Sequence, residues 1–109
     1  MNELRVDVWL WQGRFFKTRG LAARMIGEGC IRVRRGGGEV GVDKPSRVVR
    51  AGDVLSIVMG ARQVVVKIEA MGERRGPASE AQALYSVLDD RRIATSDWLA
   101  PSDHGAGAT

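Results

Sequence analysis

The sequence predicts an α+β fold: two packed N-terminal helices on a small twisted, mostly antiparallel sheet, with a further helix toward the C terminus. Three observations carry this. Apolar residues recur at helical spacing between Arg5 and Glu28. From Cys30 to Ala70 the pattern changes to β-branched runs broken by glycines. Ser79 then precedes Gln82 in the S-x-x-Q arrangement that opens helices.

The elements follow in order. Val6, Trp9, Leu10 and Gly13 fall at i, i+3, i+4 and i+7, which predicts a helix from Arg5 to about Arg14. Asp7 in its first turn suits the helix dipole. Trp9 belongs to the core stripe. Trp11 projects away from it, leaving core packing and stacking on a nucleic-acid base both open. Phe15, Phe16 and Lys17 connect to a second helix, with Thr18 as N-cap, a run from Arg19 to about Glu28, and Gly29 as the left-handed residue after it. Leu21, Ala22, Met25 and Ile26 form the stripe that should pack on the first helix as an αα-hairpin.

Ile31 and Val33 then alternate with Arg32 and Arg34, giving a strand with one apolar and one basic face. Gly36, Gly37 and Gly38 end it. Val40 and Val42 mark a short extended piece, Lys44-Pro45-Ser46 a turn, and Gly52-Asp53 another. Val54 to Met59 and Val64 to Ala70, joined by Gly60-Ala61-Arg62, predict a hairpin. The third helix is expected from Ser79 through about Leu88, docking Leu84, Val87 and Leu88 on the sheet. Trp98 and Leu99 are possible anchors, and His104 to Thr109 has the composition of a disordered tail.

A chain of 109 residues accommodates one modest core. Net charge is +4, distributed unevenly: residues 1–50 hold 11 Lys/Arg against 5 Asp/Glu (+6), and residues 51–109 hold 6 against 8 (−2). The first half is therefore the electrostatically active one. Between Arg14 and Arg35 a single acid, Glu28, opposes Arg14, Lys17, Arg19, Arg24, Arg32, Arg34 and Arg35. Lys17 and Arg19 flank the second helix at its positive end, at a cost of a few tenths of a kcal/mol. That cost is explained if free N–H groups, Thr18 and the two cations together receive a phosphate. RNA is the expected polyanion, with DNA as the alternative.

Other chemistry is poorly supported. One cysteine, Cys30, excludes an internal disulfide and is expected as a small buried residue. Gly36 to Gly41 formally matches G-x-G-x-x-G, but valines and Lys44-Pro45 follow where a dinucleotide site needs a helix. Asp89-Asp90 reads as solvated surface, and His104 has no Asp, Cys or Ser constellation near it in sequence. A non-enzyme without cofactor or metal is expected. The start, MNELRVDVWLW, lacks a signal-peptide pattern and no apolar run suits a membrane span, so a cytoplasmic protein is the default; for oligomeric state the default is a monomer.

The residues R-V-D-V-W-L-W-x-x-R-F-F-K-T-R-x-L-A, from Arg5 to Ala22, resemble the opening of the S4 RNA-binding domain. Within that superfamily the chain is most similar to the bacterial heat-shock 15-kDa ribosome-associated family. The likeness continues through Ile26, Gly29, Val33, Pro45-Ser46 and Gly52-Asp53-Val54-Leu55 to Arg74-Arg75-Gly76-Pro77-Ala78-Ser79-Glu80-Ala81, covering roughly residues 4–88. The resemblance implies an S4-type αL motif over 4–70, with 71–100 as an extension packed on it and 101–109 as a tail. It implies binding of structured ribosomal RNA on the large subunit, including subunits that still carry a nascent chain. Arg5, Arg14, Lys17, Thr18, Arg19 and Arg24 match the family's positions, and charge alternation adds Arg32, Arg34 and Arg35. The chain departs from the family at Val8, where a basic residue is common, and at Arg34-Arg35-Gly36-Gly37-Gly38, which replaces an Asn-Gly turn. Two rival readings keep the charge but change the role. One is an S4 module acting in trans with an RNA-modifying enzyme or a tRNA complex; the other is an adaptor whose sheet edge binds protein.

Overall fold

A three-residue strand, β1 (Glu3–Arg5), precedes the first helix, which is therefore shorter at its start than the periodicity indicated. In this computed structural model, which describes residues 3–93, β1 pairs antiparallel with β4 (Val48–Arg50). The Val6 N–H donates to the Arg47 carbonyl at 2.7 Å, so the N-terminal backbone is paired up to the point where α1 (Val6–Gln12) begins. Three residues are too few for hydrophobic alternation to reveal a strand, and its partner lies 45 residues away.

The second helix, α2 (Arg19–Gly27), opens as expected: the Thr18 hydroxyl oxygen accepts the Leu21 N–H at 2.9 Å. It closes on Gly29, whose φ of +86° is available to glycine without a Cβ clash. Ala22 and Ile26 are fully buried and Met25 packs at the margin. Leu21 is 37% exposed, contrary to the expected stripe. On so short a helix the i, i+4 pair alone faces the core, and Leu21, turned by about 100°, lies at the rim.

The main sheet is antiparallel throughout, in the order β3-β2-β5-β6-β7. Its strands are β2 (Ile31–Arg35), β3 (Gly38–Gly41), β5 (Val54–Met59), β6 (Arg62–Ile68) and β7 (Tyr85–Arg92). One face carries Ile31, Val33, Leu55, Ile57, Val64, Val66 and Ile68, and these form a single core with Val6, Trp9, Leu10, Ala22 and Ile26 of the helices. Both helices therefore cover the same face. Trp9 is fully buried, stacks on Phe15 with ring centroids 5.6 Å apart, and donates its indole N–H to the Ala70 carbonyl at 3.0 Å.

The predicted third helix is the main correction. Only Ala78–Gln82 is helical (α3), starting after Pro77 without a side-chain cap, so Ser79 does not serve as one. Tyr85–Arg92 is a strand that completes the sheet beside β6. Without it, the edge of β6 away from β5 would present a row of unpaired N–H and C=O groups, and satisfying that edge overrides the local helical signal. Leu84 does reach the core, whereas Val87 and Leu88 are 54% and 55% exposed. The register shifts between Val65 and Val66, and Leu88 is the extra residue of the resulting bulge. Trp98, Leu99, His104 and the expected tail lie outside the described residues.

Candidate nucleic-acid interface

Two buried carboxylates organise much of the basic surface. Asp7, in the first turn of α1, is 4% exposed and accepts both Nε and a terminal nitrogen of Arg5 at 3.1 Å. The Arg19 guanidinium lies 3.7 Å from the same carboxylate. One aspartate thus joins the end of β1 to the start of α2 and holds two cations side by side, each with about half its side chain in solvent. It also offsets the unfavourable placement of Arg19 at a helix start.

Asp53 does the same for the sheet. It is 2% exposed and accepts Arg35 Nε at 2.9 Å, a terminal Arg35 nitrogen at 2.6 Å and the Arg50 backbone N–H at 3.0 Å. Burial alone would raise its pKa. The Arg35 hydrogen bonds, the Arg50 N–H and the two positive charges outweigh that and hold the carboxyl below its ordinary value. Arg35 also donates to the Val48 carbonyl at 3.3 Å, and Val48 stands opposite Arg5 in the β1–β4 ladder. Arg19, Arg5 and Arg35 are therefore linked through β4 into one basic margin.

The remaining predicted residues divide. Thr18 caps α2, with its hydroxyl proton still free to donate. Arg24 is exposed on α2 and pairs with Glu28 at 3.2 Å. Arg14 adopts φ +65° in the turn after α1 and donates from Nε to the Gly76 carbonyl at 2.9 Å. Lys17 is exposed, and neither it nor Arg14 has an ion-pair partner among the described residues. Arg32 and Arg34 are not brought to this surface. They alternate with the buried Ile31 and Val33, so they stand on the sheet face opposite the helices, both near Glu39 at 2.9 and 3.9 Å.

Sequence reasoning missed the aspartates as organisers, because Asp53 and Arg35 are 18 positions apart and only the strand pairing unites them. It also left out Arg75, which donates from Nε to the Trp11 carbonyl at 3.0 Å and lies over the Trp11 ring. The segment containing it had stood out in the sequence, but not for this contact. Cys30 is buried as expected, and burial, then Glu28, push its thiol pKa up. Among the described residues no three His, Cys, Asp or Glu side chains converge as a metal site, and no helix is long and apolar enough to cross a membrane.

No protein-family model matches the chain. Heat shock protein 15 of Escherichia coli K12 is 42% identical over 83 residues, which are 76% of this chain and 59% of that protein. The heat shock protein 15 homolog of Haemophilus influenzae is 37% identical over 88 residues, 81% of this chain and 63% of its own. The match thus spans about three fifths of the length of these relatives. The solved structure of Vibrio cholerae heat shock protein 15, described as trimeric, superposes with a TM-score of 0.67 at 31% identity, covering 95% of this chain and 93% of that one. With the α+β architecture expected from the sequence in place, and the likeness extending over nearly the whole of a solved relative, the chain belongs to the heat shock protein 15 family.

Proposed function

We propose that this protein is a non-catalytic RNA-binding protein that recognises structured ribosomal RNA on the large ribosomal subunit, including stalled particles that retain a nascent chain. The observation that carries the reading is the basic margin itself. Arg5 and Arg35 are hydrogen-bonded to buried carboxylates and Arg19 lies 3.7 Å from one of them, while Arg14 and Lys17 have no ion-pair partner among the described residues. Internal acids placed beneath the surface orient the guanidinium groups and leave their outer nitrogens for an anion. Arginine and lysine on a helix side and a strand margin suit phosphates and RNA shape more than base edges. The family name adds a stress context to this reading.

Co-sedimentation with purified large subunits tests it. Lys17→Glu is the cleanest perturbation, because Lys17 has no ion-pair partner to lose among the described residues. Arg24→Glu places like charges four residues apart on an exposed helix, at a folding cost of only about 0.2–0.5 kcal/mol. Arg19→Gln is preferable to a charge reversal there, which would set a carboxylate beside buried Asp7. Each should weaken binding while thermal unfolding changes little, and wild-type binding should fall steeply with salt. Unchanged co-sedimentation in all three would rule out this surface. The trimeric Vibrio cholerae relative makes self-assembly the alternative to the expected monomer, and sedimentation velocity on the same samples separates them.

A further inference from the structure

The loop from Met71 to Pro77, which joins β6 to α3, is tied to the C-terminal end of α1 by reciprocal hydrogen bonds. Arg75 donates to the Trp11 carbonyl, and Arg14 donates to the Gly76 carbonyl. The loop thereby brings a cation to a partly buried indole: the Arg75 guanidinium carbon is 5.9 Å from the Trp11 ring centroid. That separation is within cation–π range. Neighbouring Arg74 is paired with Glu80 at 3.1 Å, but Arg75 has no ion-pair partner among the described residues. Among the described residues only its Nε is engaged, which leaves both terminal nitrogens without a partner there. Around this one turn, then, stand three cations without an acidic partner among the described residues (Arg14, Lys17 and Arg75), one of which lies over an aromatic ring.

Phosphate binding alone would need only the charges. A guanidinium lying over an indole offers something more, a second planar face, rigidly held and polarisable. Nucleobases stack on guanidinium planes as they do on aromatic rings. In duplex RNA those base faces are already covered, whereas an unpaired nucleotide exposes one, with a phosphate on each side. We propose that Arg75, held over Trp11, is a stacking platform for one unpaired nucleobase, whose flanking phosphates are taken by Arg14 and Lys17. This deepens the RNA-binding reading and rests on it. Trp11 does not itself meet the base; it orients and backs the guanidinium that does. The surface assigned to RNA thereby extends from the helix pair onto the loop after β6.

The test compares two chains of equal charge by fluorescence anisotropy in low salt: an eight-nucleotide oligoadenylate, and the same ribose-phosphate length without bases. Stacking of a single base contributes about 1–3 kcal/mol, so the wild-type protein should prefer oligoadenylate by about 5- to 150-fold. Arg75→Lys keeps the charge and loses the plane; it should bind the abasic chain as wild type does, with the same salt slope, and lose most of the preference. Trp11→Leu, which removes the backing ring without touching any charge, should do likewise. A preference undiminished in both variants overturns the platform. So does an equal loss on both chains, which would make Arg75 a simple charge or a strap. Wild-type binding to both chains without preference, or to neither, sinks the platform alone, whereas absence of co-sedimentation with large subunits sinks the RNA reading with it.

Discussion

Replacing Asp53 with asparagine removes one charge from beneath the basic margin and leaves the shape of the side chain almost unchanged. The native carboxylate accepts two bonds from Arg35 and one from the Arg50 backbone N–H. Asparagine can keep the backbone bond through its carbonyl oxygen, but its amide group turns a donor toward a donor at Arg35. Loss of one charge-assisted bond costs roughly 1.5–3 kcal/mol. For a domain of this size that corresponds to a fall in Tm of roughly 6–15 °C. Urea unfolding at pH 7 followed by circular dichroism measures it, with an unchanged m-value showing that only stability moved. The pH dependence supplies the sign. Asp53 has a folded-state pKa below its ordinary value, so its contribution is fully present above the unfolded carboxylate pKa, about 3.9, and is lost as pH falls through the folded value. The gap between wild type and variant should therefore be largest at neutral pH and close in acid below about pH 4. A variant as stable as wild type at pH 7, or a gap that persists unchanged into strong acid, would refute the role assigned to the Arg35–Asp53 pair.

Two further outcomes follow from side chains of known surroundings. Thr18→Ala removes the acceptor for the Leu21 N–H and should destabilise the fold by about 1 kcal/mol in the same urea titration, whereas Thr18→Ser should be close to neutral. Cys30, buried and with its thiol pKa raised, should resist iodoacetamide in the native protein and react readily once urea has unfolded it, as mass spectrometry would show.

Local signals made the helical hairpin legible. Trp9, the Thr18 cap and Gly29 each announce their role within a few residues, and the alternation of Ile31 and Val33 with Arg32 and Arg34 assigns their faces. What the sequence concealed is non-local. β1 is a strand because residues 48–50 pair with it, and Tyr85–Arg92 is a strand because β6 needs a partner. The same holds for the interface. Counting positive charges between Arg14 and Arg35 treated Arg32, Arg34 and Arg35 alike, yet the pleat sends the first two to the opposite face, while Asp53 holds Arg35 near β4. Arg75 lies outside that basic segment altogether and reaches Trp11 only when the chain returns along α1. Charge density pointed to a candidate surface; tertiary pairing decides which charges share it.

The brevity of the two helices has a thermal consequence. At seven and nine residues, α1 and α2 are shorter than the ~12–15 residues below which an isolated helix is marginal in water. Their order is borrowed from the sheet through Val6, Trp9, Leu10, Ala22 and Ile26. The basic margin therefore has no melting point of its own: heat that unfolds the sheet dissolves the arrangement of Arg5, Arg14 and Arg19 in the same step. Under the proposed reading, affinity for RNA at high temperature is set by the valine-rich core on the far side of those helices, and a substitution such as Val66→Ala would reach the arginines without touching them.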